Sequence, residues 1–287
     1  MKNKNTIIYL LSGFIFFTSC KKESAKPGPD PFYAVSIDGF TVTFTNQTKG
    51  ATSYKWDFGD GGTSTDESPS HTYPSKGKFV PTLYATSSDG VTKEASTVIF
   101  ISKASAIKMD DGTLSDWDTV THNVITAGAG SGNFITSKYD YDGNNVYVYF
   151  EQHTTKADGN IYDLYIDADN NISTGYLTGE IPNGAYEVLL EGTLFDNWLD
   201  PYYHSGDQAD FGGYAYQGLA DYYTMGASEE KSGVFKFEFA LKRSKIRNFS
   251  TTKGLKIGVQ VFKNDWSAII GWSPDLYSDP FFLDMSE

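Results

Sequence analysis

Among the 287 residues, the groups best placed for chemistry are Asp167, Asp169 and Asn171, at alternate positions within YDLYIDADNNISTGY, residues 162–176. Side-chain oxygens at that spacing can converge on one hard cation, and calcium gathers six to eight oxygens, some from carbonyls and water. The same groups can instead close Asx-turns onto their own backbone, and both readings stand. A second chemistry lies in residues 195–223, FDNWLDPYYHSGDQADFGGYAYQGLADYY, where Trp198, Tyr202, Tyr203, Tyr214 and Tyr216 sit among Gly, Asp and Asn. Trp266 at a polar FKNDW tip and Trp272 in GWSP add to it. Aromatic planes accept the C–H faces of sugar rings while carboxylates and amides bond the hydroxyls at the edge. If these loops share one end of the fold, Trp198 with Trp266 or Trp272 makes a clamp or platform; Trp272 divides evenly between that role and the core.

Other chemistries find little support. As an EF-hand loop the acidic turn fails, because Ile172 stands where Gly is required and Thr178 where a bidentate Glu is required. GAGSG at 128–132 lacks the spacing and strand-to-helix context of a nucleophile elbow. His71, His122, His153 and His204 form no H-x-x-x-H pair, and no distinctive Met/His pair presents itself for haem. A glycosidase needs only two suitably spaced carboxylates, which 36 acidic residues can always supply. The expectation is a protein that is not an enzyme.

The elements that must position these residues are strands. Aromatics make up 16% of the chain, with 20 Tyr, 20 Phe and 28 Gly, and runs with helical apolar spacing are scarce. The chain has room for a signal segment and two all-β domains. Lys2 and Lys4 precede an apolar run at 7–17 and then Phe17-Thr18-Ser19-Cys20, which resembles a bacterial lipoprotein signal ending at a lipid-modified Cys20. An ordinary cleaved signal or an N-terminal anchor are the alternatives. Cys20 is also the sole cysteine, which excludes an intramolecular disulfide and thiolate metal clusters. On the lipoprotein reading, residues 1–19 are the signal peptide and residues 20–31 a Pro/Gly-rich tether. The net charge of −13 becomes −15 once Lys2 and Lys4 are removed, and argues against nucleic acid, whose binding relies on clustered Lys and Arg.

Residues 32–102 read as a small sandwich. GFTVTFTN at 39–46 alternates Phe40, Val42 and Phe44 against threonines. WDFGDG at 56–61, then His71-Thr72-Tyr73, closely resemble a PKD domain, an immunoglobulin-like sandwich used as a spacer in secreted bacterial proteins. Trp56 and Phe58 belong in its core, and Gly59 and Gly61 supply the turn. His71 and Tyr73 brace a loop rather than bind a ligand. Pro81, inside the next apolar run, predicts an edge or bulged strand there.

Residues 104–287 read as a larger antiparallel β-sandwich. The Asp-Gly turn at Asp111-Gly112 before Asp116-Trp117, the strand pattern at 138–151, the acidic turn itself, GAYEVLLE at 184–191 and the amphipathic run at 235–241 resemble family 9 carbohydrate-binding modules and DOMON-like sandwiches. That resemblance implies a core role for Trp117 and a structural calcium at Asp167, Asp169 and Asn171. The two domains together resemble surface glycan-binding lipoproteins of Bacteroidota polysaccharide-utilisation systems. This implies an outer-membrane, outward-facing anchor, polysaccharide or oligosaccharide as partner, and a neighbouring TonB-dependent importer. The acidic balance favours a neutral glucan, such as a β-1,3-glucan, over an anionic polymer. An adhesion or scaffold protein that contacts another protein through its aromatic loops is the alternative.

Overall fold

The computed structural model describes residues 28–286; the signal segment, Cys20 and most of the tether lie outside them. Among the described residues, the N-terminal strands are β1 (Tyr33–Asp38), β2 (Thr41–Asn46), β3 (Ser53–Asp57), β4 (Thr63–Ser64), β5 (Ser70–Thr72), β6 (Gly77–Phe79), β7 (Thr82–Thr86), β8 (Thr92–Ser96) and β9 (Ile99–Ile101). They form sheets ordered β1-β2-β5 and β4-β3-β7-β8, with β6 paired to β9.

Between these sheets the alternating residues meet. Val42, Phe44, Trp56, Phe58, Tyr73, Leu83, Ile99 and Ile101 form one buried cluster. Its polar atoms are closed internally: Trp56 Nε1 donates to the Asp66 carbonyl at 3.0 Å, and Tyr73 OH to the Phe58 carbonyl at 2.9 Å. The His71 ring stacks 4.0 Å from Phe58 while its Nε2 lies 2.7 Å from Asp60 Oδ2. Gly59 adopts a φ of 81° beside the Val80 backbone, where a Cβ would collide. The expectation for Pro81 is corrected. β7 is an interior strand between β3 and β8, and Pro81 stands just before its first residue, so no ladder N–H is lost.

The second domain contains β10 (Val124–Thr126), β11 (Phe134–Tyr141), β12 (Asn145–Gln152), β13 (Ile161–Asp167), β14 (Val188–Gly192), β15 (Asp200–His204), β16 (Tyr214–Tyr216), β17 (Tyr223–Lys231), β18 (Val234–Lys242), β19 (Gly254–Phe262), β20 (Ile269–Ser273) and β21 (Phe281–Asp284). A five-stranded sheet runs β10-β11-β12-β18-β17. A seven-stranded one runs β16-β15-β14-β13-β19-β20, with β21 also paired to β19. All named pairings are antiparallel, as in β13 with β14 and β19.

Period-two alternation fills the space between the sheets. Val146, Val148 and Phe150 of β12 and Phe235, Phe237, Phe239 and Leu241 of β18 face Tyr162, Leu164 and Ile166 of β13 and Ile257, Val259 and Val261 of β19. The far side of the five-stranded sheet is covered by the segment that follows the first domain. There Trp117, on a 3-10 turn (Ser115–Thr119), packs with Ile107, Tyr147 and Tyr149 and donates from Nε1 to Glu238 Oε2 at 2.6 Å. The core role expected for Trp117 is what the structure shows. Lys103 and Ser105, just beyond β9, both bond the Asp140 carboxylate and so fasten the inter-domain connection to β11.

Candidate functional site

The side of the seven-stranded sheet turned away from the core carries the chemistry. β13 alternates Tyr162, Leu164 and Ile166 inward with Asp163, Tyr165 and Asp167 outward. Pairing then carries the outward set across the sheet. Asp163 stands opposite Gln260 of β19 and Glu191 of β14, Glu191 opposite Asp200 of β15, and Gln260 opposite Trp272 of β20. One step along, Leu189 pairs with Tyr202 and Tyr202 with Tyr216. From β20 to β15 is four strand spacings of about 4.8 Å each, or about 19 Å.

Aromatic rings border this row. On one side Trp198, 38% exposed, donates from Nε1 to Asp200 Oδ2 at 2.9 Å. Tyr202 and the 60%-exposed Tyr216 meet edge to face at 5.9 Å. Gly192 permits this border, since a Cβ there would strike the Trp198 carbonyl. On the other side Trp272 is half-buried, its Nε1 donating to Glu180 Oε2 at 3.1 Å, the oxygen that also accepts from Gln260 Nε2 at 2.6 Å. Trp266, at the β19–β20 tip, is exposed, holds a φ of 60° and packs its ring 4.9 Å from Phe262. Left-handed backbone on a bulky residue is strained, and here it projects an indole from the end of the same face.

Two predicted tyrosines are placed elsewhere. Tyr203 alternates inward with the core cluster, and its hydroxyl accepts from the Arg247 N–H at 2.8 Å, so it is not part of the outer surface. One residue of register separates it from Tyr202 and reverses its direction. Tyr214 lies on the outer side but under a flap: its hydroxyl donates to the Tyr186 carbonyl at 2.8 Å, and Tyr176, His204 and Phe211 crowd its ring. That flap, residues 168–187, also covers Tyr165 and Leu189 with Ile181 and Tyr186. Gly175 is fixed where the flap crosses the Tyr186 backbone, at a φ of 72°.

The floor is more acidic than the loop sequences suggested. Asp163 is almost fully buried, and burial pushes its carboxyl up to about 8, helped by the neighbouring Glu191 charge. Tyr165 OH donates to Asp163 Oδ2 at 3.2 Å, while Asp163 Oδ1 is buried with no hydrogen-bond partner. Glu191 is raised as well, first by burial and then by Asp200. Asp163, Glu191, Asp200, Gln260 and Glu180 are functional candidates that the loop reading missed. For Asp163 and Glu191 the signal was the polar half of YDLYID and of GAYEVLLE, visible only once the strand partners are known.

The candidate cation site gains Glu187. Carboxylate oxygens of Asp167, Asp169 and Glu187 lie within 4.8 Å of one another. Asn171 Oδ1 accepts from the Ser173 N–H at 3.1 Å, closing an Asx-type turn. Glu187 Oε1 accepts from the Ala168 N–H at 2.8 Å, but its buried Oε2 has no partner. Burial raises the Glu187 carboxyl to about 7. Lys256 Nζ sits 3.0 Å from Asp167 Oδ2. With all three carboxylates ionised, this one ammonium leaves two negative charges, the balance a divalent cation would meet. The donor set is all oxygen, as calcium prefers, so these residues fit the ion, with Glu187 as a donor that the sequence reading did not name.

Comparison with known proteins covers the two domains unequally. The curated relative "Microbial collagenase" of Vibrio alginolyticus is 38% identical over 69 residues, 22% of this chain but only 8% of that protein. The PKD1 domain of Vibrio anguillarum Epp is 27% identical, covering 27% of this chain and 98% of that one, with a TM-score of 0.27. A structure of carbohydrate-binding modules from the β-sandwich superfamily, described as promiscuous in specificity, aligns over 86% of this chain and 98% of that one at 15% identity and a TM-score of 0.28. The PKD domain family model matches residues 27–101. The chain therefore begins its described part with a PKD domain and continues into a larger antiparallel β-sandwich.

Proposed function

We propose that this protein binds polysaccharide or oligosaccharide without cleaving it, on the outer face of the seven-stranded sheet, with the PKD domain as spacer. The observation that carries this reading is the convergence of Trp198, Tyr202, Tyr216 and Trp272 around Asp163, Glu191, Gln260 and Asp200 on that one face. Rings offer apolar planes, and the acids and amide between them accept or donate at sugar hydroxyls. About 19 Å of width suits a chain of several sugar units lying across the strands.

Calcium at Asp167, Asp169 and Glu187 would hold the base of the flap and take no part in ligand contact. Cys20, if lipid-modified, would anchor the protein at the outer membrane facing outward, where captured glycan could pass to a TonB-dependent importer. Replacement of Cys20 by serine would then move the protein from the membrane fraction to the soluble one. Neutral glucans, including β-1,3-glucan, are the first ligands to test.

The decisive experiment is retention on a panel of polysaccharide affinity gels. Trp198→Ala should abolish retention while the melting temperature stays nearly constant; failure of every glycan to retard the protein would sink the proposal and favour an adhesion or scaffold role. One observation favours hydrolysis, the adjacent Asp163 and Glu191 with raised pKa values. Both, however, rise from one floor, whereas glycosidic cleavage needs carboxyls flanking the scissile bond. Release of reducing ends on long incubation would overturn the non-catalytic reading.

A further inference from the structure

We infer that the outer face prefers glycans bearing free amino groups, so that its ligand class is amino sugars whose nitrogens are not acetylated. This rests on the glycan-binding reading and specifies it. Asp163, Glu191 and Asp200 form a row across adjacent strands, and Glu180 joins them through the shared contacts with Gln260 and Trp272.

Their partners are all neutral. Asp163 receives Tyr165 OH, Asp200 receives Trp198 Nε1, and Glu180 receives an amide and an indole N–H. Among the described residues, none of the four forms an ion pair with Lys or Arg; Lys256, the cation within β19, is committed to Asp167, the last residue of β13. The independent sign of a missing ligand is Asp163 Oδ1, 98% buried as a residue, on the outward side of β13 and without a hydrogen-bond partner. A buried acceptor left unpaired is costly. An ammonium on a sugar ring supplies both the donor and the positive charge that the row lacks, while the bordering rings take the apolar sugar face, with cation–π attraction added. Asp163, Glu191 and Asp200 also do not gather as closely as Asp167, Asp169 and Glu187 do, which disfavours a metal ion as the missing charge. The raised carboxyls of Asp163 and Glu191 accord with like charges gathered in a poorly hydrated place.

The test is calorimetric titration of the full chain with β-1,4-linked glucosamine hexamer and, separately, its fully N-acetylated counterpart. The free-amine hexamer should bind at least tenfold more tightly, with the advantage shrinking as salt is raised. Glu191→Gln should cut the ratio of the two affinities severalfold, because the free-amine hexamer loses a charge-assisted contact and the acetylated one only a neutral hydrogen bond; Asp163→Asn, checked for folding by circular dichroism, gives a second variant, and an unchanged ratio in both would overturn the inference. Equal affinity, tighter binding of the acetylated form, or retention of neutral glucans alone would overturn the inference and leave glycan binding intact. If no glycan binds at all, both readings fall. A hexalysine peptide that binds more tightly than the amino sugar would overturn it in favour of a basic protein partner.

Discussion

The two domains use the same residue types to opposite ends. In the PKD domain, Trp56, His71 and Tyr73 are closed on their own surroundings: indole to the Asp66 carbonyl, imidazole to Asp60, phenol to the Phe58 carbonyl. On the outer face of the larger sandwich, Trp198, Tyr216 and Trp266 keep much of their ring surface in solvent, and Asp163 holds a buried oxygen without a partner. Closed polar groups specify a fold; open ones beside exposed rings specify something to be bound. Aromatic content alone, spread through both domains, does not separate them.

The closed groups carry the largest expected effect. Trp56→Ala should destabilise the PKD domain by about 3–5 kcal/mol, the range for emptying a large aromatic site, seen as an early calorimetric transition. If the domain is only a spacer, glycan retention at low temperature survives. On the open side, Asp163 is expected to cost stability when ionised. Its carboxyl titrates near 8 in the folded protein and near the ordinary carboxylate value when unfolded. The folded state therefore binds the extra proton between those values, and stability falls as pH rises from about 4 to about 8. Asp163→Asn should flatten that decline, by on the order of a few kcal/mol at the alkaline end, in urea titrations across the pH range.

At the flap, calcium binding would stabilise the fold. Saturation at a hundred times the dissociation constant would add about 2.7 kcal/mol, so a chelator should lower the melting temperature. Glu187→Gln should remove the difference. Because the ion needs Glu187 ionised, the calcium effect should fade below pH of about 7. A melting temperature indifferent to both calcium and chelator would return the acidic turn to a purely hydrogen-bonded role. The smallest effect is on binding alone: Trp198→Ala should weaken glycan affinity by about 2 kcal/mol, roughly thirtyfold, as central aromatic contacts do, measured by affinity electrophoresis.

Much of the architecture was legible from alternation. Val146, Val148 and Phe150 enter the core as their spacing implies, and Trp117 is buried beneath the turn that precedes it. The PKD signature likewise located its own core. The site was legible only in part, because side-chain direction on a strand has a period of two and a single step sends Tyr203 inward while Tyr202 faces out. Trp198 and Trp266 stood out as indoles in polar turns. Asp163 and Glu187 did not, because each sits inside an apolar strand sequence and acquires its meaning from partners far away along the chain. Asn171, at the expected ligand spacing, spends its side chain on a local turn.

That distance has a consequence for how the protein is made. β13 pairs with β19, joining Ile161 to Phe262, and β19 in turn holds β20 and β21. Contacts between segments so remote in the chain form slowly. During synthesis in the N-to-C direction, the PKD domain has every strand it needs by Ile101 and can fold early. The larger sandwich must wait with Asp163 and its apolar neighbours uncovered until residues beyond 254 emerge. The outer face of the seven-stranded sheet is thus completed late, and the interval before its strands pair is the period of greatest exposure to aggregation.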